Sequence, residues 1–159
     1  TGVNAMTVSP TDPDHILINI RNSGNGVTHG IYRSTDGGEN WLETNYNPVI
    51  LDKGGLGSNF SVRDIAYHPT ISELVFVCAS DGLYRSTDDL GSWEKVTNGS
   101  ISQIEFHPTN PDIIYIYDYY YWGPNKNKVL RSTDGGLTWV GSPDIAGNDA
   151  ARRLHVGPA

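Results

Sequence analysis

Tyr119, Tyr120, Tyr121 and Trp122 follow Asp118 directly and precede a Gly-Pro break. Flat rings with polar tips suit stacking on sugars or anchoring a protein partner. The same aromatic run also suits burial, because consecutive strand residues face opposite sides and rings on either side can pack between sheets. A carboxylate beside such rings would serve glycoside hydrolysis, which needs two carboxylates roughly 5 to 10 Å apart, one acid and one base or nucleophile. The candidates in divergent segments are Asp52, Asp81, Asp118, Asp144 and Asp149, and their spacing pairs no two of them. Asp36, Asp88 and Asp134 stand apart, since each recurs inside a nearly identical stretch: RSTDGGENW at 33–41, RSTDDLGSW at 85–93 and RSTDGGLTW at 131–139.

Other chemistries find little support. No Cys/His cluster has metal-ligand spacing, so no metal site and no cofactor is expected. No glycine-rich phosphate loop follows a strand and opens a helix, and no Gly-x-Ser-x-Gly nucleophile elbow exists. His68, His107 and His155 sit at matching repeat positions, which points to structural roles, while His15 and His29 are isolated. Cys78, the single cysteine, lies within LVFVCAS and reads as a buried small hydrophobe. A net charge of −7 repels phosphate backbones and argues against nucleic-acid partners. No run of apolar residues is long enough to span a membrane.

The elements that must position these residues are short strands. Glycine (18 of 159 residues) and nine prolines interrupt helices, and the aromatic and β-branched residues favour strands. A second segment recurs as VNAMTVSPT from Val3, VRDIAYHPT from Val62, ISQIEFHPT from Ile101 and ARRLHVGPA from Ala151. Apolar residues two and four places before each proline give the period of a strand, which the proline ends. An apolar run follows each of the first three copies (HILINI, ELVFVCAS, DIIYIYDY), and its apolar character on both parities predicts cover on both faces. A third strand runs into the nine-residue stretch (GIYRS, GLYRS, VLRS), and a fourth starts at or after its tryptophan. The unit matches a β-propeller blade. The expected fold class is therefore all-β, with propeller blades of four antiparallel strands. Residues 1–159 form a partial propeller: blade one at about 1–50, blade two at about 60–100, blade three at about 101–147 and the first strand of a fourth at about 151–157. Propellers typically close with roughly 4 to 8 blades. The expectation is a fragment of a longer chain, a ring completed by self-association, or an open arc.

The nine-residue stretch reads as scaffold. Serine and aspartate side chains accept bonds from nearby backbone N–H groups, and glycine supplies positive φ. The predicted structural residues are Ser34, Asp36, Gly38 and Trp41; Ser86, Asp88 and Trp93; and Ser132, Asp134, Gly136 and Trp139. In the second copy Leu90 replaces the glycine, which predicts a shifted turn geometry. The pattern Ser-x-Asp-x-Gly-x-Thr-Trp, matched fully at 132–139, resembles the Asp-box of bacterial neuraminidase-type repeats. That box occurs in sialidases, xyloglucan-hydrolysing two-propeller glycosidases, sortilin-like receptors, a photosystem assembly factor and large secreted bacterial proteins. HPTNPDIIYI at 107–116 is most similar to the secreted proteins and the xyloglucan enzymes. The resemblance implies a fold more than an activity, because in those families the box is a hairpin remote from the active site.

A four-stranded meander puts the proline turns and the boxes on one edge, and the divergent loops on the other. Binding usually lives on such loops. The candidate ligand-binding residues are Asn22, Asp118, Tyr119, Tyr120, Tyr121 and Trp122. Xyloglucan-type enzymes draw a carboxylate from a second-to-third-strand loop, where this chain offers Asn22, Asp81 and Asp118. The arginine cluster of sialidases is absent; Arg21, Arg63, Arg152 and Arg153 are scattered. The leading expectation is a non-catalytic propeller segment of a secreted or cell-surface protein. It would bind a glycan or protein through the loop face and pack against the remaining blades of its own or another chain. The alternative is a segment of a glycoside hydrolase, xyloglucanase-like or sialidase-like, that supplies substrate subsites. A pure spacer role fits if the loop aromatics are buried.

Overall fold

The computed structural model describes residues 2–21, 30–46, 61–119 and 128–142. They form three antiparallel sheets, each of four strands in sequence order. The first sheet holds β1 (Gly2–Val8), β2 (Ile16–Arg21), β3 (Gly30–Ser34) and β4 (Leu42–Glu43). The second holds β5 (Val62–Tyr67), β6 (Val75–Ala79), β7 (Gly82–Ser86) and β8 (Glu94–Asn98). The third holds β9 (Ile101–Phe106), β10 (Ile114–Asp118), β11 (Lys128–Ser132) and β12 (Val140–Gly141). No helix occurs among the described residues.

Strand β6 shows why the apolar runs tolerate no polar face. All five of its residues, Val75 to Ala79, are buried. Val75, Val77 and Ala79 join Leu17 and Ile31 of the first sheet in one cluster. Phe76 and Cys78 join Ile104, Ile114 and Ile116 of the third sheet in another. The second sheet is thus clamped on both faces, as its composition requires. Each outer sheet has one covered face and one open face. Val3, Met6 and Val8 are consequently 55%, 63% and 43% exposed, whereas their register equivalents Val62, Ile65 and Tyr67 are buried.

The first strands β1, β5 and β9 lie side by side. Each carries a one-residue register irregularity, at Val3/Ala5, at Val62/Asp64 and opposite Tyr117/Asp118. A bulge re-aims side chains. Here the extra residues reach the next sheet: Asn4 Nδ2 donates to the Val62 carbonyl at 2.8 Å, and Arg63 Nη1 to the Ser100 carbonyl at 3.4 Å.

At one edge, the serine of each repeated turn donates to its aspartate and accepts a backbone N–H four residues on. Ser34 Oγ meets Asp36 Oδ1 at 2.7 Å and Gly38 N at 2.8 Å. Ser86 Oγ meets Asp88 Oδ1 and Leu90 N, both at 2.9 Å. Ser132 Oγ meets Asp134 Oδ1 at 2.7 Å and Gly136 N at 2.9 Å. Bonds from Asn40 and Ser34 hold the Asp36 carboxyl down at about 2, and Ser92 and Thr138 lower Asp88 and Asp134 in the same way.

The shifted geometry expected for the second turn is not found. Asp89 and Leu90 adopt φ of 50° and 74°, alongside 71° and 100° at Gly37 and Gly38. The turn also keeps its anchor, Asp89 N donating to Glu73 O at 3.1 Å as Gly37 N does to Asp14 O. Aspartate tolerates the left-handed region, and Leu90 is 3% exposed in the cluster shared with the first sheet, so burial offsets its strain. One bond is different. Trp41 and Trp139 donate their indole N–H to Gly38 O and Gly136 O, at 2.9 and 3.2 Å. Trp93 makes no such bond and instead meets Tyr46 edge-on at 4.9 Å.

Candidate functional site

Strands β6, β8 and β10 end, and β5, β7 and β9 begin, at the edge opposite the repeated turns. Two backbone clasps close this edge. Ser80 N donates to Ser61 O at 2.9 Å, and Tyr119 N donates to Ser100 O at 2.8 Å. They join the end of each second strand to the residue that enters the same sheet. Side chains then differ from sheet to sheet.

In the second sheet the clasp is completed by Ser80 Oγ, which accepts Ser61 N at 3.0 Å. Asp81 occupies the tight turn between β6 and β7. Its carboxylate accepts the Tyr84 hydroxyl at 3.0 Å and Lys95 Nζ at 3.1 Å. Lys95 also stands 5.8 Å from the Tyr84 ring centre. Gly82 follows because nothing larger fits: an added Cβ would lie 2.3 Å from the Thr97 carbonyl oxygen.

In the third sheet the carboxylate moves to the end of β10. Asp118 Oδ1 accepts Ser100 N at 2.7 Å, and Gly99 turns with φ of 137° against the same carboxylate. Tyr119 caps the arrangement, with the Arg63 guanidinium 5.9 Å from its ring centre and the Tyr117 ring 6.3 Å away. Arg63 therefore bridges the two sheets, stacked on a ring of one and bonded to the crossover between them. This guanidinium–tyrosine–carboxylate corner offers a ring edge, a fixed positive charge and hydrogen-bonding groups to a polar ligand.

Asp64 lies deeper between β5 and β9. Burial raises its carboxyl to about 6, opposed by bonds from Ile104 N and Ile65 N and aided by Glu105. Its oxygens accept Ile65 N at 3.0 Å and Ile104 N at 3.2 Å. Both oxygens are thereby committed to holding the two sheets together.

Of the residues singled out in the sequence, Asp118 and Tyr119 come together here. Asn22, Tyr120, Tyr121 and Trp122 lie outside the described residues, as do Asp52, Asp144 and Asp149. Asp81 is bonded within its own sheet and Asp118 to the Ser100 crossover, so the structure joins these two carboxylates to different partners. Among the described residues no group of three or more His, Cys, Asp or Glu side chains could hold a metal ion. Sequence reasoning set Arg63 aside as one of the scattered arginines and passed over Asp64, Tyr84, Lys95 and Ser100. Charged residues at 63 and 64 stand where the first and third copies of the strand carry NA and SQ, but the fourth copy carries Arg152 and Arg153 there, so charge alone did not mark the second copy.

No protein-family profile matches the chain. It is 27% identical over 168 aligned positions to a xyloglucanase from Paenibacillus sp, a match that takes in 89% of this chain and 16% of that protein. Among solved structures, an ancestral GH74 enzyme superposes with a TM-score of 0.68 at 24% identity, over 87% of this chain and 18% of the other. A GH74 enzyme from Niastella koreensis gives 0.64 at 23% identity, over 90% of this chain and 23% of the other. The fold is a β-propeller. Its three described sheets are blades of that architecture, and the chain spans between 16% and 23% of the length of these relatives.

Proposed function

We propose that the chain is a segment of a glycoside-hydrolase propeller acting on a xyloglucan-type polysaccharide, and that its share of the work is substrate binding along the loop edge. The supporting observation is that the similarity to a xyloglucanase runs through 89% of the chain, all three blades included. The Arg63–Tyr119–Asp118 corner supplies the sugar-facing chemistry of such a subsite. A catalytic pair is not assigned to these blades, because Asp81 and Asp118 are each engaged by local partners. The serine–aspartate bonds of the three turns support reading them as Asp-boxes. Secretion to the cell exterior follows from the polymeric substrate, which is too large to enter a cell. The reading of the segment as a protein-binding scaffold competes for the same edge, and the experiment distinguishes them.

Titration calorimetry of the chain with xyloglucan oligosaccharides, and with unsubstituted cello-oligosaccharides as control, tests the proposal. Binding of the branched sugar is expected. Tyr119→Ala should weaken it about 10-fold or more, the loss of one stacked ring with its ordered neighbours. The variant's circular dichroism should be unchanged. No binding to either sugar, or binding indifferent to Tyr119→Ala, overturns the subsite and favours the scaffold.

A further inference from the structure

The register irregularity of β5 brings two consecutive charged side chains, Arg63 and Asp64, into contact with the third blade. Arg63 reaches the Ser100 carbonyl and the Tyr119 ring, while Asp64 Oδ2 accepts Ile104 N from β9 at 3.2 Å. The fold does not need a carboxylate at this position. The register equivalents of Asp64 are Ala5 in the first blade and Gln103 in the third, both neutral. Asn4, the equivalent of Arg63, still bonds across its own interface to the Val62 carbonyl. An acid between two packed sheets is thus an addition to the common plan, at a place where charge is poorly solvated.

The groups around Asp64 compensate its charge poorly. From β9 it faces Glu105, a like charge whose Oε1 accepts Gln103 Nε2 at 2.9 Å. From β6 it is paired in register with Cys78, whose thiol is fully buried and held neutral by that burial. On β5 its charged neighbour is Arg63, and that guanidinium is turned to Ser100 and Tyr119. Strand β1 carries no titratable side chain. The backbone N–H groups of Ile65 and Ile104 are what remains to hold the carboxyl. His68, also buried at this interface, packs against Phe106 beyond the far end of β5. A proton on Asp64 removes the repulsion by Glu105, and its loss restores that repulsion on the same bulge that places Arg63.

We propose that Asp64 is a proton-operated latch between the second and third blades: neutral, it keeps β5 seated on β9 and the Arg63–Tyr119 corner formed, and ionised against Glu105 it loosens both. The latch lies within the described blades and does not depend on what binds. Its consequence for binding rests on the reading of that corner as a sugar subsite. Affinity there falls as pH rises through about 6, the value to which burial lifts the Asp64 carboxyl. The closed form binds the proton more tightly than an opened one, so proton and ligand each favour the other.

Amide proton spectra of the chain from about pH 4.5 to about pH 7.5, without sugar, test the latch. The N–H groups of Ile65 and Ile104 should move with one midpoint at about 6, and Tyr119 N–H, bonded to Ser100 O, should move with them. Hydrogen exchange at Tyr119, corrected for its intrinsic pH dependence, should be about 10-fold faster at the upper end of the range. Asp64→Asn keeps an accepting oxygen and cannot ionise, so it should abolish that midpoint and hold the slow exchange throughout. Glu105→Gln should move the midpoint down by relieving the like charge. A Tyr119 amide that ignores the transition of Ile104, or that keeps it in Asp64→Asn, overturns the latch. Calorimetry with xyloglucan oligosaccharides at the two ends of the range reads the consequence. Binding about 10-fold weaker at the higher pH is expected, with the difference gone in Asp64→Asn. Equal binding at both ends overturns the control of the corner by Asp64. No binding at either end overturns the subsite instead, and the amide spectra alone then decide the latch.

Discussion

At the turn edge the same bonds recur in all three blades, with Ser Oγ meeting Asp Oδ1 at 2.7, 2.9 and 2.7 Å. At the loop edge the backbone clasp recurs, but the side chains on it are Ser80, Asp81 and Lys95 in one blade and Asp118, Tyr119 and Arg63 at the next. The difference lies in range. Turn bonds span two to four residues, so a short repeated sequence fixes them wherever it occurs. The clasp bonds of the loop edge join residues 18 or 19 apart, with backbone groups carrying the invariant part. Side chains there are free to diverge, and this lets one scaffold carry different sites.

The turn edge is uniform only as far as its neighbours permit, and two glycines measure that limit. Gly136→Ala should be the most damaging change considered, costing about 3 to 5 kcal/mol. It adds overpacking against Phe76 to the strain of a side chain at φ of 85°. Gly38→Ala faces the same class of strain at φ of 100° but would meet only ordinary contacts, at 3.6 Å from Trp41 and 3.8 Å from Ile16, and should cost only about 1 to 2 kcal/mol. Urea unfolding of both variants gives the two numbers. Equal losses would show that the turn itself demands glycine and that size is not traded across the blades.

Carboxylates separate the two environments by pH, with a somewhat smaller effect. Asp36, Asp88 and Asp134 are exposed and lowered by hydrogen bonds from their own turns. Their contribution is present above the unfolded value near 4 and is lost as pH falls toward 2. Asp64 is raised to about 6 by burial, so the native state holds a proton that the unfolded chain releases between about pH 4 and pH 6. Stability should therefore fall through that window as pH rises, by something on the order of 2 to 3 kcal/mol. Asp64→Asn should abolish the falling limb while keeping the acid limb. Unfolding free energies of both proteins from about pH 3 to about pH 8 decide it. Parallel profiles would mean that Asp64 titrates as it does in the unfolded chain.

The three four-stranded sheets and their strand order were legible because each rests on local sequence. Prolines end the first strands, apolar runs mark the second, and the RSTD stretches close the third. Leu90 was misread for a related reason. As a lone sequence change it looks incompatible with the turn, but the core cluster it joins, which reaches back to Leu17 and Ile31 of the first sheet, buries it there. Arg63 and Asp64 were overlooked because their partners, Ser100 and Ile104, belong to another blade. The Tyr119–Asp118 corner was half legible: the residue types were visible, while the carboxylate's engagement with Ser100 N was not.

The smallest predicted difference compares one hydrogen-bonding side chain from each edge. Ser132 is 1% exposed and its hydroxyl both donates to Asp134 and accepts Gly136 N, so Ser132→Ala leaves a buried N–H without its acceptor. The expected cost is about 1 to 3 kcal/mol. Asp118→Asn keeps an amide oxygen that can still accept Ser100 N at a half-exposed site, giving up only the charge on that bond, and should cost below about 1 kcal/mol. Thermal unfolding of the two variants side by side is the measurement. A larger loss at Asp118 would reverse the comparison: the crossover would then depend on its carboxylate more than the repeated turn depends on its serine, and the loop edge would be less free to diverge than its sequence variety indicates.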